Sequence, residues 1–323
     1  MQTLISHSER DYILHGVESN LRADGRGRLD YRQVTFETGL ISQCSGSARC
    51  RLGEGTDVLV GVKVEIGQIE VDGAEEVVND KKAKRGRVVC NVECSPIASQ
   101  QFAGRGAEDY NNELTQIMEL IFNGPQAGID LEKLCIVPGI WRDVIHYNIV
   151  VAHNRYHAEQ VLDYAGNILD TIFLTTRAAL YNTRVPKTIV QEVEGMMEIE
   201  VLDDVQEAER IVGWEQIPIA VTLNKIGSRH IIDATPLEEL ATEAKLLVSV
   251  NKQGKICGMQ KSGEGSIEPS LLNEMIQTGR TIGQKIIEAF DVRLREEEVE
   301  SLKSSSRGGG QINIQKLGFF AAT

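Results

Sequence analysis

Val221 to Val250 reads VTLNKIGSRHIIDATPLEELATEAKLLVSV. Two aliphatic runs flank a Gly227-Ser228 turn, and a third follows an acidic turn. Short β-branched runs bounded by turn residues predict strands, here near Ile217 to Leu223, Arg229 to Asp233 and Leu246 to Val250. Lys255 to Met259 supplies a fourth, and a long helix follows from about Pro269 to Phe290. The acids raise a second question. Asp233 ends a strand, and Glu238, Glu239 and Glu243 follow as in an acid/base site. Where another carboxylate would complete it, the chain has Ala244, Lys245 and aliphatic residues.

Working outward, the first half repeats the scheme. In TDVLVGVKVEI, Val58, Val60, Val62, Val64 and Ile66 alternate with Leu59, Gly61, Lys63 and Glu65, the period of a strand with one buried face. VVCNVEC repeats it, with Val88, Cys90, Val92 and Cys94 on one face. EDYNNELTQIMELIFNGP places Tyr110, Leu114, Ile117, Met118 and Ile121 at helical steps and stops at Gly124-Pro125. A second helix is expected at about Ile168 to Tyr181. Strands followed by helices, twice over, predict an α/β (α+β) sandwich of two similar lobes. The expected boundaries are a helical extension over 1–29, a first lobe over 30–191 and a connector over 192–213. A second lobe covers 214–292 and a flexible tail 293–323. Residues 192 to 209 hold eight acids and no basic residue, as in a solvated connector with at most one edge strand.

With 323 residues, 41% hydrophobic and 25% charged, the composition is globular. A net charge of −13 rules out bulk-charge binding of nucleic acid, so phosphate contacts must come from a local cluster. The first twenty residues hold charges and no apolar core of signal-peptide length, and no long uncharged apolar run occurs, which predicts a soluble intracellular protein. The six cysteines, at 44, 50, 90, 94, 135 and 257, are scattered and read as reduced. No cofactor or metal is expected. Cys90 and Cys94 on one strand would be roughly 13 Å apart, too far to share a zinc. His153 and His157 have i, i+4 spacing but lack the glutamate of a zinc-protease motif.

Two features suit phosphate. Lys81, Lys82, Lys84, Arg85 and Arg87 crowd into KKAKRGR. Arg105 stands between Gly104 and Gly106 just before a helix, where backbone N–H groups and a guanidinium favour an anion.

LRADGRGRLDYRQV, GSARCRLGEGTDVLVGVKVEIG, FAGRGAEDYNNEL, AALYNTRVP, VTLNKIGSRHIIDATPLEEL and VNKQGKICGMQKSGEG resemble, in that order, segments of the RNase PH-like subunits of the RNA exosome. The resemblance covers most of residues 10 to 290. It implies an RNase PH-like fold, with a lobe like domain 2 of ribosomal protein S5 and a C-terminal RNase PH domain. It also implies a six-membered ring of RNase PH-like subunits, S1/KH cap subunits, associated exoribonucleases, and RNA threaded through a central channel. The expected locations are nucleus, nucleolus and cytoplasm, and the expected processes rRNA maturation, mRNA turnover and RNA surveillance. One segment departs from the pattern: WRDVIHYNIVVAHNRYHAEQVLDYAGN stands where a short regular strand should lead into the Ala165-Gly166-Asn167 turn. Residues 138 to 162 therefore read either as an insertion or as a gene-model error.

Active relatives use phosphate to attack the last phosphodiester of RNA, which requires a cationic phosphate seat and a carboxylate. The seat resembles Gly-Gly-Thr-Arg or Gly-Ser-Arg; Gly166, Asn167, Ile168 and Leu169 match it here, without hydroxyl or guanidinium. The carboxylate pattern resembles Val-Asp-Met-Asn, matched by Glu243, Ala244, Lys245 and Leu246. On this reading Ile168, Leu169, Asp233 and Ala244 are positions of a degenerate site, and the expectation is a non-catalytic subunit. The alternative is an active phosphate-dependent 3′-to-5′ exoribonuclease.

Overall fold

A computed structural model describes residues 5–68, 86–96, 98–99, 102–124, 129, 131–137, 141–151, 164–193, 196–202 and 207–307. The first lobe opens with helix α1 (His7–Glu18) and strands β1 (Val34–Thr38), β2 (Gly46–Leu52), β3 (Thr56–Gln68) and β4 (Arg87–Cys94). Helix α2 (Arg105–Phe122), β5 (Cys135–Val137), β6 (Trp141–Val151) and α3 (Ile168–Asn182) follow. A ribbon is formed by β7 (Arg184–Val185) and β10 (Glu209–Arg210), and β8 (Thr188–Val193) with β9 (Met196–Val201) make a hairpin between them. The second lobe holds β11 (Ile219–Ile226), β12 (Arg229–Ile232), α4 (Pro236–Ala241), β13 (Ala244–Val250), β14 (Ile256–Ser262) and α5 (Pro269–Arg307).

The first sheet runs β1-β2-β3-β6-β4, with β5 also paired to β6; the second runs β12-β11-β13-β14. Alternation in β3 buries Val58, Val60, Val62 and Val64, each contributing about 1.5–3 kcal/mol. Cys90 and Cys94 are buried thiols of the same core, and burial raises both pKa values. Helix α3 lies between the sheets, touching β2 and β3 on one side and β11 on the other. All its residues except Leu169 are buried, Arg177 included. Helix α5 covers the outer face of the second sheet, where Leu271 and Met275 pack on Val221, Leu223 and Val248.

Helix α2 runs along the free edge of β4. Asn111, Thr115, Glu119 and Asn123, four residues apart on one helical face, accept from the backbone N–H groups of Cys94, Val92, Cys90 and Val88. The helix thus supplies acceptors where a further strand would have been.

Three sequence expectations change. Within 138–162, residues 141–151 are a central strand: β6 pairs antiparallel with β3, Lys63 opposite His146, and parallel with β4. That part belongs to the fold, whereas His153 and His157 lie outside the described residues. The acidic connector contributes β9 to a two-stranded hairpin whose other strand, β8, begins before it at Thr188, where a connector with one edge strand was expected. The chain remains helical through residues 293–307, where a flexible tail was expected. Leu294 is buried there, Glu297 accepts from the Thr38 N–H at 2.9 Å, and Glu298 pairs with Arg210.

Candidate functional site

The acidic turn after β12 and the start of α3 meet in space. At the junction, Gly166 has φ 80° and Asn167 φ 58°, both left-handed. Asparagine is among the few non-glycine residues that adopt this region readily. A Cβ at Gly166 would sit 2.3 Å from the Ala234 carbonyl oxygen, so only glycine lets the two chains pass.

Asp233 is fully buried and also left-handed, at φ 47°. Its Oδ1 accepts from Arg32 Nη2 at 2.6 Å and Asn167 Nδ2 at 3.0 Å. Its Oδ2 accepts from Arg26 Nη1 at 2.7 Å, and from Arg32 N and Nε at 2.8 and 2.9 Å. Burial alone would raise the pKa of this carboxyl. The bonds and charge of Arg32, with the Asn167 bond, outweigh that and hold it below the ordinary range. With five donors on it, the group has no free lone pair aimed at a ligand.

The neighbouring acids are held just as firmly. Glu238 closes a capping box with Thr235 and pairs with buried Arg22, whose Nε lies 2.7 Å from Oε1. Glu239 Oε1 accepts from the Asn167 backbone N–H, at the start of α3, at 3.1 Å. Tyr164 donates its hydroxyl to the other oxygen, and Lys245 Nζ stands 3.6 Å from Oε1. The helix end that would favour an incoming anion already carries an internal one. Behind it, Asp170 is fully buried and accepts from Tyr31, and from the Thr222 N–H and hydroxyl. Burial pushes its pKa up to about 6 against those bonds.

Ile168 is the buried first residue of α3, and Leu169 packs half-buried against the core. Ala244 is not part of the cluster. By strand alternation it shares the face of Leu246 and Val248, which points to α5, while Lys245 points back to Glu239. The residue at the site is therefore Lys245, and a carboxylate at 244 would face the wrong side of the sheet. Arg105 begins α2 after Gly104, at φ 85°. Arg87 is exposed at the start of β4. Lys81, Lys82, Lys84 and Arg85 lie outside the described residues. No His/Cys/Asp/Glu cluster able to hold a metal occurs among the described residues.

The parts played by Glu239, Arg26, Arg32 and Tyr164 were missed by sequence reasoning. The only available signal was the run of arginines in LRADGRGRLDYR, whose partner carboxylates lie some two hundred residues further along.

Residues 30–133 match the 3′ exoribonuclease family, domain 1, and residues 216–282 match domain 2 of that family. A Dictyostelium discoideum protein whose name assigns it to the exosome complex as RRP42 is 36% identical, over 90% of this chain and 98% of its own. Exosome complex component Rrp42 of Thermococcus kodakarensis is 32% identical, over 87% and 94%. Among solved structures, a chain of the Archaeoglobus fulgidus exosome with RNA bound to the active site superposes with a TM-score of 0.69. It is 27% identical and covers 88% of this chain and 98% of its own.

Proposed function

This chain belongs to the RNase PH-like 3′ exoribonuclease family, and from that premise we propose that it is a non-catalytic ring subunit of the RNA exosome, the counterpart of ribosomal RNA-processing protein 42. It holds its place among other RNase PH-like subunits and supports 3′-to-5′ trimming of RNA that passes through the ring. S1/KH cap subunits and associated exoribonucleases complete the assembly. Its work lies in rRNA maturation, mRNA turnover and RNA surveillance, in nucleus, nucleolus and cytoplasm.

The observation that carries the non-catalytic reading is Glu239. Phosphorolysis needs phosphate seated beside a carboxylate that binds a metal or gives a proton to the leaving oxygen. Here the start of α3, which would donate to phosphate, donates instead to Glu239, with Tyr164 and Lys245 on the same carboxylate. Asp233, the other acid within reach, is consumed by Arg26 and Arg32. Phosphate would have to displace a covalently tethered anion, whose effective concentration far exceeds that of the free ion.

The test is a phosphate-dependent RNA-shortening assay with Mg²⁺ on the isolated chain. The expected result is no nucleoside diphosphate; release abolished by Asp233→Asn would establish the active-exoribonuclease alternative instead. Mixing with the other ring subunits and measuring particle size separates a ring subunit from a free-standing RNA-binding protein.

A further inference from the structure

Among the described residues the two packed sheets have five edges, and four are blocked from within. The N–H groups of β4 are taken by the acceptor ladder of α2. Strand β1 lies under α5, with the Phe36 ring 4.7 Å from Phe290 and Thr38 donating to Glu297. On β12, Ile232 donates to the Arg28 carbonyl at 3.1 Å, so the segment after α1 covers that edge. Strand β5 is only three residues long and its register with β6 is irregular. Short strands, bulges and covering elements all prevent edge-to-edge association. The β8–β9 hairpin carries exposed Glu192, Glu198 and Glu200, another such device.

Strand β14 has no covering element among the described residues; its one irregularity is a register shift at its start, where Ser249 faces Gly258 and Val250 faces Ile256. It is seven residues long and, among the described residues, pairs only with β13. No side chain or covering segment is bonded to its outer backbone groups among the described residues. Ile256 and Met259 are exposed, at 39% and 51%. Its charge sits at the flanks, Lys255 just before it and Lys261 near its end, leaving Ile256 to Gln260 uncharged. In a chain of net charge −13, these lysines set an orientation for an incoming strand with acids opposite them.

We propose that β14 is the docking edge for a neighbouring ring subunit, which adds a β-strand with acidic ends to continue the second sheet across the interface. The partner's chemistry follows from the surface. Unpaired N–H and C=O groups in a row are satisfied best by another strand, and two apolar side chains ask for apolar neighbours beside it. The inference rests on the ring-subunit reading and adds to it which edge is used.

The experiment is hydrogen exchange on the full chain, alone and in a ring reconstituted with the other RNase PH-like subunits. The amides of Ile256 to Ser262 that face away from β13 are expected to exchange fast in the free chain and slowly in the ring. Ile256→Lys with Met259→Lys is expected to weaken incorporation by about tenfold or more, whereas Leu120→Lys, at an exposed site on α2, leaves it unchanged. Failure of the wild-type chain to enter a ring would remove the reading beneath the inference. Incorporation with β14 still exchanging fast would overturn the inference alone. Protection of β14 in the free chain through self-association would also overturn it, by assigning the edge to a second copy.

Discussion

Arg177 of α3 and Asp291 of α5 are both buried, and the guanidinium donates twice to one carboxylate oxygen, at 2.9 and 2.7 Å. The remaining donors of Arg177 go to the carbonyls of Ile217 and Glu215. Lys252 also reaches Asp291, at 3.2 Å, but removing Asp291 leaves the buried guanidinium with no carboxylate bonded to it. Asp291→Ala is therefore expected to cost about 3–5 kcal/mol in chemical denaturation. Lys187→Ala, which breaks an exposed pair with Glu207, should cost under about 1 kcal/mol.

Leu169→Arg combined with Ala244→Asp is expected to yield no phosphorolytic activity and a less stable protein. Glu239 would still occupy the start of α3, and the new carboxylate at position 244 would be buried on the α5 side of the sheet. An unpartnered polar group there costs about 1–3 kcal/mol. Nucleotide release and an unfolding curve check both halves; activity in the double variant would show that the seat is open.

Three buried groups divide the acid response into windows. His230 is 1% exposed with neither ring nitrogen bonded, and burial lowers its pKa below the ordinary 6.5. The unfolded chain takes up that proton first, so its contribution is intact above pH 6.5 and is lost as pH falls below it. Asp170 acts oppositely. Its raised pKa, about 6 against 3.8, makes the folded state bind the proton first, so its contribution grows as pH falls from about 6 towards 3.8. Asp233, held low, contributes fully above pH 3.8 and is lost as pH drops through its folded value. Stability against pH for His230→Leu, Asp170→Asn and Asp233→Asn should each flatten only its own window.

Gly166→Ala is expected to lose about 2 kcal/mol or more, because the new methyl would meet the Ala234 carbonyl and φ 80° disfavours alanine. A loss of only a few tenths in thermal or denaturant unfolding would mean the turn shifts easily.

Within an assembled ring, Arg105→Glu should weaken RNA threading about equally for all sequences and lower its salt dependence, with assembly intact. A guanidinium beside a helix N-terminus favours phosphate, and phosphate contacts carry no sequence information. Binding measured at several salt concentrations decides it; sequence-dependent loss would point to a base contact instead.

What was legible in the sequence was whatever repeats locally. The alternation from Val58 to Val64, the apolar steps of α2 and the turns at Gly227 and Asp233 mark their elements without reference to the rest of the chain. The missed parts depend on distant partners. Strand β6 looks irregular as HYNIVV because it sits between β3 and β4, whose pairing supplies its order. The polar end of α5 is helical because Thr38 of the first lobe and Arg210 of the connector receive Glu297 and Glu298. At the site, the absence of any arginine from Gly166 to Leu169 was visible in the sequence. The position of Glu239 was not, because it depends on a contact between residues 72 apart in sequence. Ala244 was assigned to the site from pattern alone, and strand parity sends it to the other face.

The two family domains match this sequence separately, yet α3 has one wall in each of them. Cutting the gene in the acidic stretch between them would leave the first fragment with a helix stripped along one side, Arg177 bare and the Asp233 clasp divided. The second fragment would keep Asp291 with Lys252 alone, 3.2 Å away, in place of the buried guanidinium. Units that evolve as modules need not melt as modules: here the shared helix makes the pair a single cooperative body, and any split version must reassemble before either half is native.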